Sequence, residues 1–189
     1  MTTPGIDVER WSALKVFFFG LFHRTPPSNL AAVDRMRLDS SDSFVDLGCG
    51  LGAALEHAAA TGARTAGIDP SPSMVEKAAE RVPQADVRLG SAEAIPFEDD
   101  AFTAALSVST YHHWADAETG LQEVRRVLAP GGRLLIVERK LKKSAGHGLD
   151  DEGGDSLAQL LESKGYVSIE IETIEVRRDE YLAVSAVKP

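Results

Sequence analysis

The chain has 189 residues, 43% hydrophobic and 26% charged, enough to bury one α/β core and too few for two, so one structural domain is expected. A formal net charge of −9 argues against a nucleic-acid partner, since Lys and Arg contacts to phosphate supply most of that affinity. The single cysteine excludes an intramolecular disulfide, and no Cys/His spacing suits a structural zinc site, so no metal is expected.

The N-terminal residues show no basic segment leading into a long apolar run and a cleavage site. Val16-Phe17-Phe18-Phe19-Gly20-Leu21-Phe22 is far too short to span a bilayer, so a cytoplasmic protein without stable membrane insertion is expected. Over residues 8–22, Trp11, Leu14, Phe18 and Leu21/Phe22 recur at helical spacing, and Pro26-Pro27 ends the element. Its three consecutive Phe offer more apolar surface than one stripe needs, suiting a covered sheet face, a homodimer interface or an apolar chamber. A second helix, capped by Ser28, is predicted through Leu30, Val33 and Met36.

Phe44-Val45-Asp46-Leu47-Gly48-Cys49-Gly50-Leu51-Gly52 comes next, with an Ala-rich segment behind it, and reads as strand, tight turn, helix. Glycine at alternate positions permits φ > 0 and lets a ligand approach without a Cβ in the way, while the helix behind offers N–H groups. Such a loop suits an adenosine-containing cofactor. Strand two, residues 64–68, ends in Asp69, about 20 positions after the loop, where a carboxylate can accept both ribose hydroxyls. Gly48, Gly50 and Ala53 also satisfy the looser dinucleotide pattern, so two cofactor classes fit the loop alone. Cys49, between two glycines, reads as a small filler of a crowded turn.

Ser71 and Pro72 open the next helix, with Met74, Val75, Ala78 and Val82 facing inward, and residues 86–89 form strand three. Strand four, residues 101–108, leads into Ser109-Thr110-Tyr111-His112-His113-Trp114, a polar and aromatic cluster at a strand's carboxyl end. Asp116 starts an amphipathic helix over residues 117–128, ended by Pro130-Gly131-Gly132, with strand five over 133–138. Residues 139–154 read as a mobile, glycine-marked connection in which His147 carries no specific signal. Leu157, Leu160 and Leu161 define the last helix. Two β-rich runs, 167–176 and 181–187, should pair as an antiparallel edge hairpin, with a bulge expected near Thr173 where the apolar alternation changes phase.

These features together resemble class I S-adenosylmethionine (SAM)-dependent methyltransferases of the small-molecule branch related to ubiquinone and menaquinone biosynthesis. The resemblance rests on the D-x-G-x-G-x-G loop from Asp46, the acidic residue after strand two, Gly90-Ser91-Ala92-Glu93-Ala94-Ile95-Pro96-Phe97, and the Arg-Val-Leu-Ala-Pro-Gly-Gly turn, in order to Gly132. It implies a Rossmann-like, doubly wound, mostly parallel seven-stranded sheet with an antiparallel C-terminal hairpin, in three α/β/α layers. Residues 1–40 would form a helical lid over the cofactor and acceptor, with Phe17, Phe18, Phe19 and Phe22 lining an apolar chamber, and residues 41–189 the core. The implied cofactor is SAM. Gly48, Cys49, Gly50 and Gly52 would embrace its amino-acid portion, Asp46 would meet the α-amino group, and Asp69 would hold the ribose. Ile68, Pro70, Ser91 and Ala92 would flank adenine, and Ser107 would offer a carbonyl near the methionine end. Many members carry an acidic residue where Ser91 stands, so the adenine contact here lacks a charge-assisted bond. His112 and His113 would be the catalytic pair, either of which could take a proton from the acceptor as the methyl arrives. No Asn/Asp-Pro-Pro-Tyr/Phe tetrapeptide follows strand four, which removes the signature of nucleobase-amine and glutamine-amide methylation. The expected function is methyl transfer to a small, partly apolar acceptor; a SAM-binding module without transferase activity is the alternative, and a nicotinamide reductase is disfavoured by the short ending.

Overall fold

Buried strands with apolar side chains on both faces need helices on both faces. That is how this chain is built in its computed structural model, which describes residues 25–142 and 146–189. The Phe-bearing helix expected over 8–22 lies outside the described residues. Every side chain of Ser43–Leu47 (β1) is buried, and successive ones alternate between two cores: Phe44 enters one, Val45 and Leu47 the other. The parallel strands Arg64–Asp69 (β2), Asp86–Leu89 (β3), Phe102–Val108 (β4) and Leu128–Arg139 (β5) extend it, and Val167–Val176 (β6) and Asp179–Val187 (β7) close one edge as an antiparallel hairpin. The order is β3-β2-β1-β4-β5-β7-β6. Helices Pro27–Met36 (α1), Ala53–Ala59 (α2) and Pro72–Arg81 (α3) cover the Phe44 face; Ala117–Val127 (α4) and Asp151–Ser163 (α5) cover the Val45 face. The expected three-layer, doubly wound architecture is therefore present.

Chain order reverses between β1 and β4, which pair only as far as Asp46↔Leu106. Beyond that pair the strands part at their carboxyl ends, the crevice in which open α/β sheets bind ligands.

Four local expectations change. α1 begins at Pro27, where a missing N–H costs nothing, and Ser28 lies buried inside its first turn with no capping bond. α4 stops at Val127 because Ala129 precedes Pro130, and the chain extends at once, pairing Leu128 with Phe102. α5 takes in Gly153 and Gly154, since the Asp150 side chain accepts the Gly153 N–H at 2.9 Å and caps the helix there. The irregularity in β6 falls between Val167 and Glu170, with Ser168 at φ 52°, and Thr173 pairs regularly with Leu182. The phase change needs no bulge at Thr173: Ile169 and Ile174 face opposite layers of a sheet covered on both sides.

Candidate active site at the switch point

The glycine loop follows β1 directly. Gly48, Gly50 and Gly52 have φ of 76°, 52° and 76°, as the spacing predicts. Its amides are largely used within the protein: Gly48 N–H and Cys49 N–H both donate to the Ile68 carbonyl, at 2.8 and 2.9 Å, and Gly50 N–H donates to Asp69 Oδ2 at 2.9 Å. What the loop offers a ligand is therefore shape. A Cβ on Gly50 would meet nothing within 4 Å, whereas one on Gly48 would strike Thr110, whose Cγ2 lies 2.6 Å away. Cys49 turns inward, its Sγ 3.1 Å from where a Gly67 Cβ would stand, and burial raises its thiol well above the ordinary value. That fits a filler and not a nucleophile.

Two buried carboxylates end the neighbouring strands. Asp69 accepts from Gly50 N–H and, through Oδ1, from Ser71 N–H at 2.9 Å. An ionised carboxylate has about four acceptor positions, so about two remain for a diol. Burial raises the Asp69 pKa against the pull of these bonds. Asp46 is 2% exposed, and its Oδ2 has no hydrogen-bond partner. Burial first, then the charge of Asp69, pushes its pKa up to about 7. An orphaned buried acid beside an open glycine loop fits a cationic ligand group, which would supply the missing donor. The residues present thus fit SAM, whose α-ammonium would meet Asp46 and whose ribose would meet Asp69.

Ile68 and Ala92 are buried, Ser91 is half-buried and Pro70 is exposed. Glu93 spans to α4, accepting from Ala115 N–H at 2.7 Å and Asp116 N–H at 3.2 Å, so it ties the Ser91 segment to the start of that helix. Ser107 is fully buried, and its hydroxyl pairs with Thr110 Oγ1 at 2.8 Å while Thr110 Oγ1 donates to the Leu47 carbonyl. This clasp crosses the gap between β1 and β4, and the sequence reading had not singled out Thr110 for it.

Tyr111–His113 form one 3-10 turn after β4. Tyr111 and Trp114 meet edge to face at 5.2 Å and pack towards α4, so they serve the core more than the crevice. His112 is different. Its Nδ1 lies 2.7 Å from Oε2 of Glu138, a fully buried carboxylate near the end of β5, and its Nε2 is buried without a partner. The His113 ring stands 3.9 Å away, centroid to centroid. Glu138 is the second residue that sequence reasoning missed; a glutamate closing the apolar run Leu134-Leu135-Ile136-Val137 was the available signal. A separate cleft of about 540 Å³, lined by residues such as Asp99, Arg125 and Lys188, opens at the amino ends of the strands and contains none of these groups.

A doubly wound sheet with a glycine loop, paired acids on β1 and β2 and an open switch point defines a protein that binds an adenosine-containing cofactor at its carboxyl edge. A family model described as a methyltransferase domain matches residues 45–136, spanning the loop, both acids and the His pair. Residues 45–136 carry that methyltransferase domain, and the chain is similar to the class I SAM-dependent methyltransferases, whose cofactor is SAM. An uncharacterised methyltransferase of Mycobacterium tuberculosis is 34% identical over 119 residues, covering 62% of this chain and 49% of that protein. A SAM-dependent methyltransferase from Aquifex aeolicus superposes with a TM-score of 0.73 at 20% identity, covering 95% of this chain and all of the other. A Haemonchus contortus phosphoethanolamine N-methyltransferase, solved with S-adenosylhomocysteine, gives 0.80 at 18% identity, over 95% of this chain and 58% of that one. These superpositions speak to the fold. The chain spans about half, or less, of the length of several curated relatives that it matches.

Proposed function

We propose that this protein transfers the methyl group of SAM to a small, partly apolar acceptor held at the carboxyl ends of β4 and β5. The observation that carries the reading is the pairing of an orphaned Asp46 with Asp69 beside the open side of Gly50, across the switch point from His112. When bound, SAM supplies an activated methyl on its sulfonium. Asp46 would neutralise the α-ammonium, and Asp69 would fix the ribose with the acceptor capacity left by Gly50 and Ser71. Ile68, Ala92 and Ser91 would border the adenine, and the Ser107–Thr110 clasp would hold the strand ends apart at a fixed width. The protein's task is then in-line placement of the acceptor and exclusion of water. His112 and His113 would meet the acceptor's nucleophilic atom; Glu138 fixes the His112 ring so that Nε2 presents a lone pair.

Calorimetric titration with SAM, S-adenosylhomocysteine and NADH tests the cofactor, and transfer of labelled methyl to a panel of small phenols, amines and thiols tests the reaction. Saturable SAM binding with a labelled small-molecule product is expected. Absence of SAM binding at high micromolar ligand overturns the reading, and SAM binding without transfer to any acceptor would leave a cofactor-binding module.

A further inference from the structure

We propose that His112, His113 and His147 form a binding site for one divalent first-row transition-metal ion of the zinc class at the acceptor edge. Their ligand nitrogens all lie within 4.8 Å of one another, although His147 comes from the connection between β5 and α5. Ring centroids are 5.2 Å apart for His112 and His147 and 5.5 Å for His113 and His147. The connection is held where it must be. Leu149 N–H donates to the Arg139 carbonyl at 3.0 Å, and Leu141 N–H donates to the Leu149 carbonyl at 2.8 Å, which ties the segment after His147 to the end of β5. Gly148, at φ 149°, passes so close to the Arg139 carbonyl that a Cβ there would collide with it. A side chain at that position would push His147 off the cluster.

The second observation is the wiring of His112. Glu138 accepts from Nδ1 at 2.7 Å, which leaves Nε2 as a lone-pair nitrogen, and that nitrogen is buried with nothing to bond. Carboxylate–histidine pairs of this kind fix the tautomer and ring orientation of metal-ligating imidazoles. A buried acceptor without a donor is costly, and a cation supplies what is missing. Three imidazoles suit zinc, cobalt, nickel, copper or ferrous iron, whereas magnesium and calcium require oxygen ligands. With metal–nitrogen bonds of about 2.0–2.1 Å the nitrogens must draw in to about 3.4 Å, a change that ring rotation at the exposed His113 and His147 can supply. Both exposed ligands leave the fourth position open on the outer side, as catalytic sites have it.

The use of that position rests on the methyltransferase reading; the ion site does not. An acceptor hydroxyl bound there ionises more readily and gives its proton to water. The oxygen then forms its bond to the methyl carbon as the carbon–sulfur bond breaks, leaving neutral S-adenosylhomocysteine and a methyl ether on the ion. The histidines would in this way act on the acceptor through the metal.

The test uses untagged full-length protein, stripped with chelator and dialysed, titrated with zinc by calorimetry and with cobalt(II) by visible absorption. One ion per chain is expected, with affinity reduced roughly tenfold or more by His113→Ala or His147→Ala, and roughly 10–100-fold by Glu138→Gln. Thermal melts of the metal-free variants show whether they remain folded; the two exposed histidines should be silent there. No saturable binding, or zinc binding unchanged in His147→Ala, overturns the site. SAM titration of the wild type in the same buffers separates the two ideas: SAM binding without metal removes the ion and leaves the transferase, and metal without SAM does the reverse.

Discussion

At the scale of single residues, two buried acids set what the site can hold, and their chemistry makes different predictions. Asp69 accepts two backbone amides in the ligand-free protein and keeps capacity for a diol, so Asp69→Ala should weaken SAM binding by about 1–3 kcal/mol in calorimetric titration. Unchanged affinity would remove the ribose assignment. Asp46 acts through its charge state. Its folded pKa, about 7, stands above the ordinary 3.8, so the folded protein holds a proton that the unfolded chain has lost between those values. The contribution of Asp46 to ligand-free stability should therefore be greatest below about pH 4, fall as pH rises towards 7, and level off above it. SAM binding should run the other way, tightening through pH 7 because the ammonium prefers the carboxylate. Asp46→Asn should flatten both profiles, read by thermal melts and by titration from pH 5.5 to 8.5. Asp46 and Asp69 were legible in the sequence because both belong to one continuous strand–loop–helix–strand pattern. Glu138 and Thr110 were not, because each acquires its role only when β4 settles beside its neighbours, as in the Ser109 N–H bond to the Val137 carbonyl.

At the scale of elements, the sheet's amino edge is stapled by one carboxylate. Asp42 accepts from Thr103 Oγ1 at 2.6 Å, from both terminal nitrogens of Arg133 at 3.0 and 2.8 Å, and from Asp39 N–H at 3.1 Å. Arg133 also reaches the Met36 carbonyl through Nε, so β4, β5 and the end of α1 are tied to the start of β1. The Arg133 pair holds the Asp42 carboxyl down at about 2. The Arg133 side chain is 35% exposed, so solvent screens part of the pairing, and Asp42→Ala should cost about 2 kcal/mol in urea unfolding. With the folded pKa below the unfolded one, this contribution is present above about pH 4 and is lost as pH falls towards 2. An Asp42→Ala variant whose acid denaturation matches the wild type would refute the staple. Periodicity revealed the helices and strands themselves, since Leu121, Val124 and Leu157, Leu161 repeat on one face. Their limits were harder to read. Gly153 and Gly154 look like loop residues until the Asp150 cap, and Leu182 standing where it would crowd a Cβ on Gly154, show why a helix turns there.

At the scale of the whole molecule, the sheet gathers three buried acids, Asp46, Asp69 and Glu138, at the carboxyl ends of β1, β2 and β5 in a chain whose formal net charge is −9. Low-dielectric walls focus such a field on the crevice, and the field favours a cationic cofactor over its neutral product. SAM differs from S-adenosylhomocysteine by the sulfonium methyl and its positive charge, and of these two only the charge responds to ionic screening. Raising salt from 0.02 to 0.5 M should, on the scale of about 22 Å to about 4 Å in screening length, weaken SAM binding while leaving S-adenosylhomocysteine nearly unchanged. Burial limits screening of the nearest pair, Asp46 and the ammonium, which both ligands carry, so the difference should come from the sulfonium alone. A ratio of dissociation constants that does not move with salt would mean that the acids act only by contact, and that the negative field of the fold plays no part in selecting the methyl donor.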